Sequence, residues 1–185
     1  MDLGHVWGAR GRFSYSDSMW MELARTLEST WPGQAVRTYT WLFPGLEVVH
    51  LLGLTTVFGG MVALDLRLLG MRRNTLSVSV LQRHILPLVW IGFAIATLSG
   101  LWLISFQATQ LVNDEAFVIK MLLLPLAGLN AAFMHYIGQR GLPSWDIGQW
   151  SPPVVRISAV LSLLLWSGIL ACGRLIAYFY APVFD

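Results

Sequence analysis

Few side chains of this sequence could do chemistry, and most of them lie in or beside long apolar stretches. They are His5, His50, His84, His135, Glu47, Lys120, Asn130 and Arg174. Ionisable groups within a membrane are costly and mark functional sites by default. Imidazole is an axial ligand of haem iron, and a histidine with an arginine can hydrogen-bond a quinone carbonyl. The sequence has no nucleophile triad, nucleotide-binding loop, HExxH or CxxC motif, which argues against hydrolytic or nucleotide chemistry.

Composition predicts an integral membrane protein. The 185 residues are 56% hydrophobic and only 12% charged, whereas soluble domains carry about 25% charged residues. The mean hydropathy is +0.62. A net charge of +2 is too small and too dispersed to predict a nucleic-acid partner. Residues 1 to 16 lack the apolar core of a signal peptide, so we expect the first spanning helix to direct insertion.

Hydrophobic periodicity predicts an all-α, up-down four-helix transmembrane bundle. A bilayer core of about 30 Å needs roughly 20 apolar residues per helix. Four such segments occur, at about 44–69, 87–106, 117–137 and 154–178, and they form a domain from 41 to 185. The connections are short, so we expect sequential helices to be antiparallel neighbours.

Residues 1–40 form a separate N-terminal segment that contains one amphipathic helix. The helix runs from Ser18 to Thr30 and ends at Pro32-Gly33, and its apolar stripe consists of Trp20, Leu23, Ala24, Leu27 and Trp31. Because the polar face is mixed in sign, we expect the helix to lie on the bundle end or in the membrane interface. The alternative is a docking surface for a partner subunit.

Basic residues predict the orientation in the membrane. The connections after the first and third spanning helices carry most of them: Arg67, Arg72, Arg73, Arg83, Arg140 and Arg156. The positive-inside rule then places these connections in the cytoplasm. We expect a multi-pass protein of the bacterial inner membrane with both termini in the periplasm. His50, Lys120 and Arg174 then lie near the outer face and His84 and His135 near the inner face, roughly 20–25 Å apart.

The inner histidines suggest a bis-histidine haem b. His84 and His135 would lie at similar depth on adjacent helices and bind the iron from both sides. Gly128 heads a lane of small residues before His135, which leaves space for a flat ring. Arg83 could pair with a haem propionate. The alternative is that His84 is an interfacial residue and that the small lane serves helix packing.

The outer histidine suggests a less complete site. Glu47 precedes His50 by three residues on the same helical face, and Arg174 lies at similar depth. His50 could be a haem ligand with a weaker second ligand such as Met121, an open sixth position, or a histidine from another subunit. With Arg174 it could instead contact a quinone. The alternative is a hydrogen-bonded His–Glu–Arg cluster that satisfies buried charges.

Two stretches resemble a family of small four-helix bacterial membrane proteins grouped as a domain of unknown function. They are residues 41–73, WLFPGLEVVHLLGLTTVFGGMVALDLRLLGMRR, and residues 113–136, NDEAFVIKMLLLPLAGLNAAFMHY. The resemblance implies the fold but no activity. More loosely, the pattern is similar to di-haem cytochrome b subunits and to copper-resistance D proteins. The residues that match the family pattern are His50, Asp65, Arg67, Lys120, Asn130, His135 and Arg174, whereas His84 is not part of it.

These observations give one leading functional expectation and two alternatives. The first is a b-type cytochrome-like electron-transfer subunit that exchanges electrons with quinone or a partner redox subunit and catalyses no bond chemistry itself. The second is a non-redox anchor or assembly subunit, with lipid and a partner or a second copy of the chain around it. The third is a copper transporter that uses His50, Met61 and Met121, although soft ligands are sparse.

Overall fold

The computed structural model describes residues 16–72, 74–138 and 145–179. These residues form helices and connections, without a strand among them. The helices are α1 (Ser16–Ser29), α2 (Trp31–Thr38), α3 (Leu42–Leu68), α4 (Val78–Phe106), α5 (Ala108–Leu111), α6 (Glu115–Gly138) and α7 (Pro153–Phe179). The predicted all-α bundle is confirmed.

Four of the helices, α3, α4, α6 and α7, are long and apolar enough to cross a membrane. Only 6% to 33% of the residues in their most apolar windows are buried inside the protein. Most apolar side chains therefore face outward, as they do when lipid is the solvent. The chain is a multi-pass membrane protein.

The spanning helices pack in the order α4, α3, α7, α6. The closest pair is α3 with α4, where glycines bring the two backbones together. A Cβ at Gly53 would lie 2.7 Å from the backbone nitrogen of Ala96, and a Cβ at Gly92 would lie 3.0 Å from the carbonyl oxygen of Gly53. Small residues at such crossings are typical of membrane helices. By contrast, α4 and α6 have no extensive contact, so the expectation that all sequential helices are packed neighbours is wrong for this pair.

The second spanning helix begins nine residues before the apolar run that predicts it. Ser77 caps α4, with its hydroxyl accepting a hydrogen bond from Val80 N at 3.2 Å. Pro87, which the apolar pattern suggests as the first residue, lies inside the helix. Hydropathy detects the apolar part of a helix that lies within the membrane, and it does not detect helical turns that extend beyond the apolar run.

One end of the bundle is covered by α1, α2 and α5, and we call it the capped end. Glu28 ties these helices together, because it accepts hydrogen bonds from Thr109 N (2.8 Å) and Thr109 Oγ1 (2.7 Å) and pairs with Arg37 (2.8 Å). Burial disfavours the ionised carboxylate, but the bonds from Thr109 and Arg37 outweigh it and lower the pKa of Glu28. The helical conformation is interrupted between α1 and α2, and Pro32 suits the first turn of the new helix.

Only part of the predicted apolar stripe of α1 is buried. Ala24 packs into the structure and is 1% exposed, whereas Trp20 and Trp31 are 54% and 73% exposed. Leu23 and Leu27 are about half exposed, at 49% and 47%. The helix thus lies on the bundle end, as expected, and presents an apolar face outward.

Candidate functional site

His50 lies on α3, half-buried against α4 near the capped end. Its Nδ1 is 2.8 Å from the carbonyl oxygen of Ala96 and 3.2 Å from Ser99 Oγ. A carbonyl only accepts, so Nδ1 carries the proton in the 2.8 Å bond and Nε2 is left with its lone pair. The ring lies against the α4 backbone at Gly100, where a Cβ would be 2.9 Å from His50 Cε1. The absence of a side chain at Gly100 therefore makes room for the imidazole.

Lys120 on α6 is an ionisable side chain that the sequence places at the same depth as His50. Within the described residues no hydrogen bond or ion pair joins it to His50. Its ammonium group leans towards α7, since a Cβ at Gly173 would lie 3.5 Å from Nζ. Three spanning helices thus contribute to what we call the capped-end site, which consists of His50, Ala96, Ser99, Gly100 and Lys120.

The predicted His–Glu–Arg cluster does not form. His50 bonds to Ala96 and Ser99, and within the described residues no hydrogen bond or ion pair joins it to Glu47 or Arg174. Arg174 is exposed on α7. The sequence suggested Glu47 and Arg174 as charged partners of His50. In the structure the imidazole bonds instead to a backbone carbonyl oxygen of α4, which adds no second charge within the membrane.

His84 does not face His135. It lies on the exposed stripe of α4 with Leu88, Ile91 and Leu98, which are 56%, 58% and 69% exposed. The face that packs against α3 is a different one and carries Gly92 and Ala96. The Nδ1 of His84 bonds to the carbonyl oxygen of Val80 in its own helix, at 2.8 Å. Within the described residues the structure does not bring the predicted bis-histidine pair across α4 and α6 into contact, and Arg83 is exposed beside His84.

The small residues that precede His135 on α6, which are Ala127, Gly128, Ala131 and Ala132, do not all lie on one face. Ala127 is 2% exposed and packs against Leu165 and Ile169 of α7. Gly128 and His135 lie on another face, where both are exposed, and a Cβ at Gly128 would meet no atom within 4 Å. Within the described residues, this part of the lane is not used for helix packing.

A polar cluster at the far end of the bundle has no counterpart in the sequence-based site predictions. Arg67 is 2% exposed and donates through Nη2 to the carbonyl oxygen of Asp146 at 2.7 Å. The Asp146 carboxylate accepts from Ser77 Oγ (2.7 Å), Ser79 Oγ (2.8 Å) and Ser79 N (2.8 Å). We call these four residues the far-end clamp. It joins α3, the start of α4 and the segment before α7, so its role is structural.

A second polar contact braces α6 against α7. Asn130 Nδ2 donates to the carbonyl oxygen of Ser158 at 3.0 Å, and Ser158 Oγ donates to Asn130 Oδ1 at 2.9 Å. Asn130 is thus satisfied by its neighbour helix. Sequence reasoning gave it no partner, although an amide in a spanning helix is itself a signal for such a bond.

The donor sets limit which metal sites the chain can build alone. The described residues contain no group of three His, Cys, Asp or Glu side chains that could hold a metal ion. A haem needs only one or two axial ligands. His50 fits as one ligand because its ring is oriented through Nδ1.

Comparisons with known proteins identify a family but no characterised relative. No curated protein and no solved structure matches the chain. A family model, the family of unknown function DUF6644, matches residues 21–179 and so covers α2 to α7 and most of α1. The match includes both stretches that carry the resemblance noted in the sequence. It does not extend to cytochrome b subunits or copper-resistance D proteins. The chain belongs to the DUF6644 family, whose function is unknown.

Proposed function

We propose that this chain is a b-type cytochrome-like electron-transfer subunit whose haem binds at the capped-end site. The observation that carries the proposal is the 2.8 Å hydrogen bond between His50 Nδ1 and the carbonyl oxygen of Ala96. A metal-ligating histidine almost always donates its other ring N–H in this way, which fixes the tautomer and the ring orientation. His50 therefore has the arrangement of an axial ligand, with Nε2 left for the iron.

A bound haem b would supply a one-electron redox centre, whose potential depends on its axial ligands and its burial. The chain's own contribution would be to hold and orient it. His50 would be one axial ligand. Lys120, which the sequence places at the same depth as His50, would pair with a propionate through a charge-assisted hydrogen bond. The same two groups suit a quinone, because an imidazole and an ammonium can both hydrogen-bond its carbonyl oxygens.

The exposed face of α6 suggests where a partner would bind. Gly128 and His135 lie there, and none of the described helices packs over Gly128. Small residues are typical of surfaces where membrane helices meet. We propose that a partner redox subunit or a second copy of the chain covers this face.

We also propose a location and an orientation. Arg72, Arg83 and Arg156 lie at the far end of the bundle, near the clamp residue Arg67. The positive-inside rule places that end in the cytoplasm. The protein would then lie in the bacterial inner membrane, with the capped end and both termini in the periplasm.

A non-redox anchor subunit is the second candidate, and one observation favours it. The apolar stripe of α1 and the first residue of α2 are about half exposed or more, at Trp20, Leu23, Leu27 and Trp31. An exposed apolar patch with aromatic residues is typical of a protein-binding or membrane-interface surface. In that case the capped-end site would only hold α3 on α4.

Difference spectroscopy tests the haem proposal. The full chain is expressed with a haem precursor, purified in detergent and examined by reduced-minus-oxidised absorption spectra. We expect a Soret band and a sharp alpha band that are lost in His50→Ala. His84→Ala is the matched control, since it removes a histidine from the lipid-facing stripe, and its spectrum should match that of the wild type.

Two results would overturn the proposal. A folded but colourless wild-type protein would show that no haem is bound, and it would favour the anchor subunit. A spectrum that survives His50→Ala and is lost in His135→Ala would move the haem to the far end of the bundle. Circular dichroism of each variant shows whether a lost spectrum reflects a lost ligand or a lost fold.

A further inference from the structure

Asp65 is the most deeply buried carboxyl group among the described residues, and the capped-end site does not use it. It lies on α3 one turn before the far end and is only 3% exposed. Intramembrane acids are rare and mark functional sites by default. In the sequence, Asp65 is recognisable only as a residue of the family pattern.

The surroundings of the Asp65 carboxyl group leave it incompletely paired. The hydroxyl of Ser162 on α7 faces it and is itself 3% exposed. However, neither Asp65 Oδ2 nor Ser162 Oγ has a hydrogen-bond partner with good geometry. A buried polar pair that lies side by side without a well-formed bond needs an explanation.

Among the described residues no cation pairs with the carboxyl group. The described charged or titratable side chains at this end, on α3 and on the elements packed against it, are Arg67, Arg72, Arg83, His84, Asp146 and Arg156. Of the described residues, only Ser162 interacts with the Asp65 carboxyl group. Arg67, two residues away, directs its guanidinium to the carbonyl oxygens of Leu76 and Asp146. Asp65 is therefore not half of an ion pair with any of these groups.

We propose that Asp65 is a proton-binding site in the membrane-spanning part of the protein, with Ser162 as its hydrogen-bond partner. A buried carboxylate without a cation is strongly disfavoured, whereas the neutral acid gains an O–H that can donate to the Ser162 oxygen. Binding adds one proton from water to a carboxylate oxygen, and release returns it. No other covalent bond forms or breaks. The site goes beyond the proposed electron transfer and does not depend on a haem.

Infrared spectroscopy of the full chain in detergent detects this proton directly. Exposed carboxyl groups are ionised at pH 7, so only a protected acid gives the C=O stretch of a protonated carboxyl there. We expect such a band at pH 7. It should shift in D2O and on labelling aspartate with 13C at the carboxyl carbon. It should be absent from Asp65→Asn and unchanged in Glu22→Gln, a control that removes an exposed carboxylate on α1.

Ser162→Ala is the second variant and keeps the acid in place. We expect the band to persist at a different frequency, since the hydrogen-bond partner is lost. The proposal is overturned by a wild-type protein without a protonated aspartate band at pH 7, or by a band that survives Asp65→Asn. If Asp65→Asn does not fold, a band with the same frequency in Ser162→Ala and in the wild type overturns it instead. Haem-free protein serves equally well, so failure of the haem proposal leaves this test intact.

Discussion

Replacement of Asp146 by alanine should destabilise the bundle more than its place in a connecting segment suggests. The carboxylate accepts three hydrogen bonds of 2.7 to 2.8 Å, from Ser77 Oγ, Ser79 Oγ and Ser79 N. A hydrogen bond to a charged group contributes about 1.5–3 kcal/mol. The contributions of the three hydrogen bonds do not add in full, because Asp146 is only partly buried and Ser77 Oγ keeps Val80 N as a partner. We expect a loss of about 2 kcal/mol.

The loss should depend on pH in a defined direction. Burial disfavours the ionised carboxylate, but hydrogen bonds from Ser79, Ser77 and Val78 outweigh it and hold the pKa of Asp146 below its ordinary value. An unfolded aspartate ionises at about pH 4. The stabilisation is therefore fully present above about pH 5 and is lost as the pH falls through the lower pKa of the folded state. The difference between wild type and Asp146→Ala should shrink below pH 4.

Unfolding titrations in mixed micelles, at pH 7 and at pH 3, measure both effects. Glu22→Gln is the control, because it removes an exposed carboxylate from α1. A loss below about 0.5 kcal/mol for Asp146→Ala at pH 7 would place it among ordinary surface substitutions and refute the role of the far-end clamp. A loss of the same size at both pH values would refute the assignment to the ionised carboxylate.

The same titration checks two further predictions. Gly53→Ala should cost at least about 1–3 kcal/mol through overpacking, because its Cβ would lie 2.7 Å from a backbone nitrogen of α4. Gly128→Ala should cost nothing measurable, because its Cβ meets no atom within 4 Å, and equal losses would contradict the packing order. A double-mutant cycle of Asn130→Ala with Ser158→Ala should give a coupling of about 0.6 kcal/mol, and a coupling of zero would show that their bond does not brace α6 on α7.

The fold was largely predictable from the sequence because lipid imposes one strong requirement. A spanning helix must be long and apolar, so the four segments stand out from their connections. Hydropathy does not predict which of these helices pack against one another. The connection between α4 and α6 is short, and yet α6 packs on α7, where Ala127 meets Leu165 and Ile169. Loop length limits the distance between helix ends, and side-chain packing decides the neighbours.

The candidate site was only partly predictable because its key bond involves the backbone. His50 and Lys120 are recognisable as intramembrane polar residues. The acceptor for His50 is the backbone carbonyl oxygen of Ala96. Because every residue has such a carbonyl group, the sequence does not show which one will accept the bond. The far-end clamp was missed for a similar reason, since Arg67 is held there by the carbonyl oxygens of Leu76 and Asp146.

The contrast between His50 and His84 shows which sequence signal separates an interior histidine from a lipid-facing one. His50 lies inside a predicted apolar segment and His84 lies three residues before the next one, and hydropathy does not show which helix face either occupies. His50 lies one turn before Gly53, on the side where α3 meets α4, whereas His84 shares its stripe with the large side chains Leu88 and Leu98. Backbones approach closely only where side chains are small. The stripe of large apolar residues on α4 therefore faces outward, and none of the described helices packs over it.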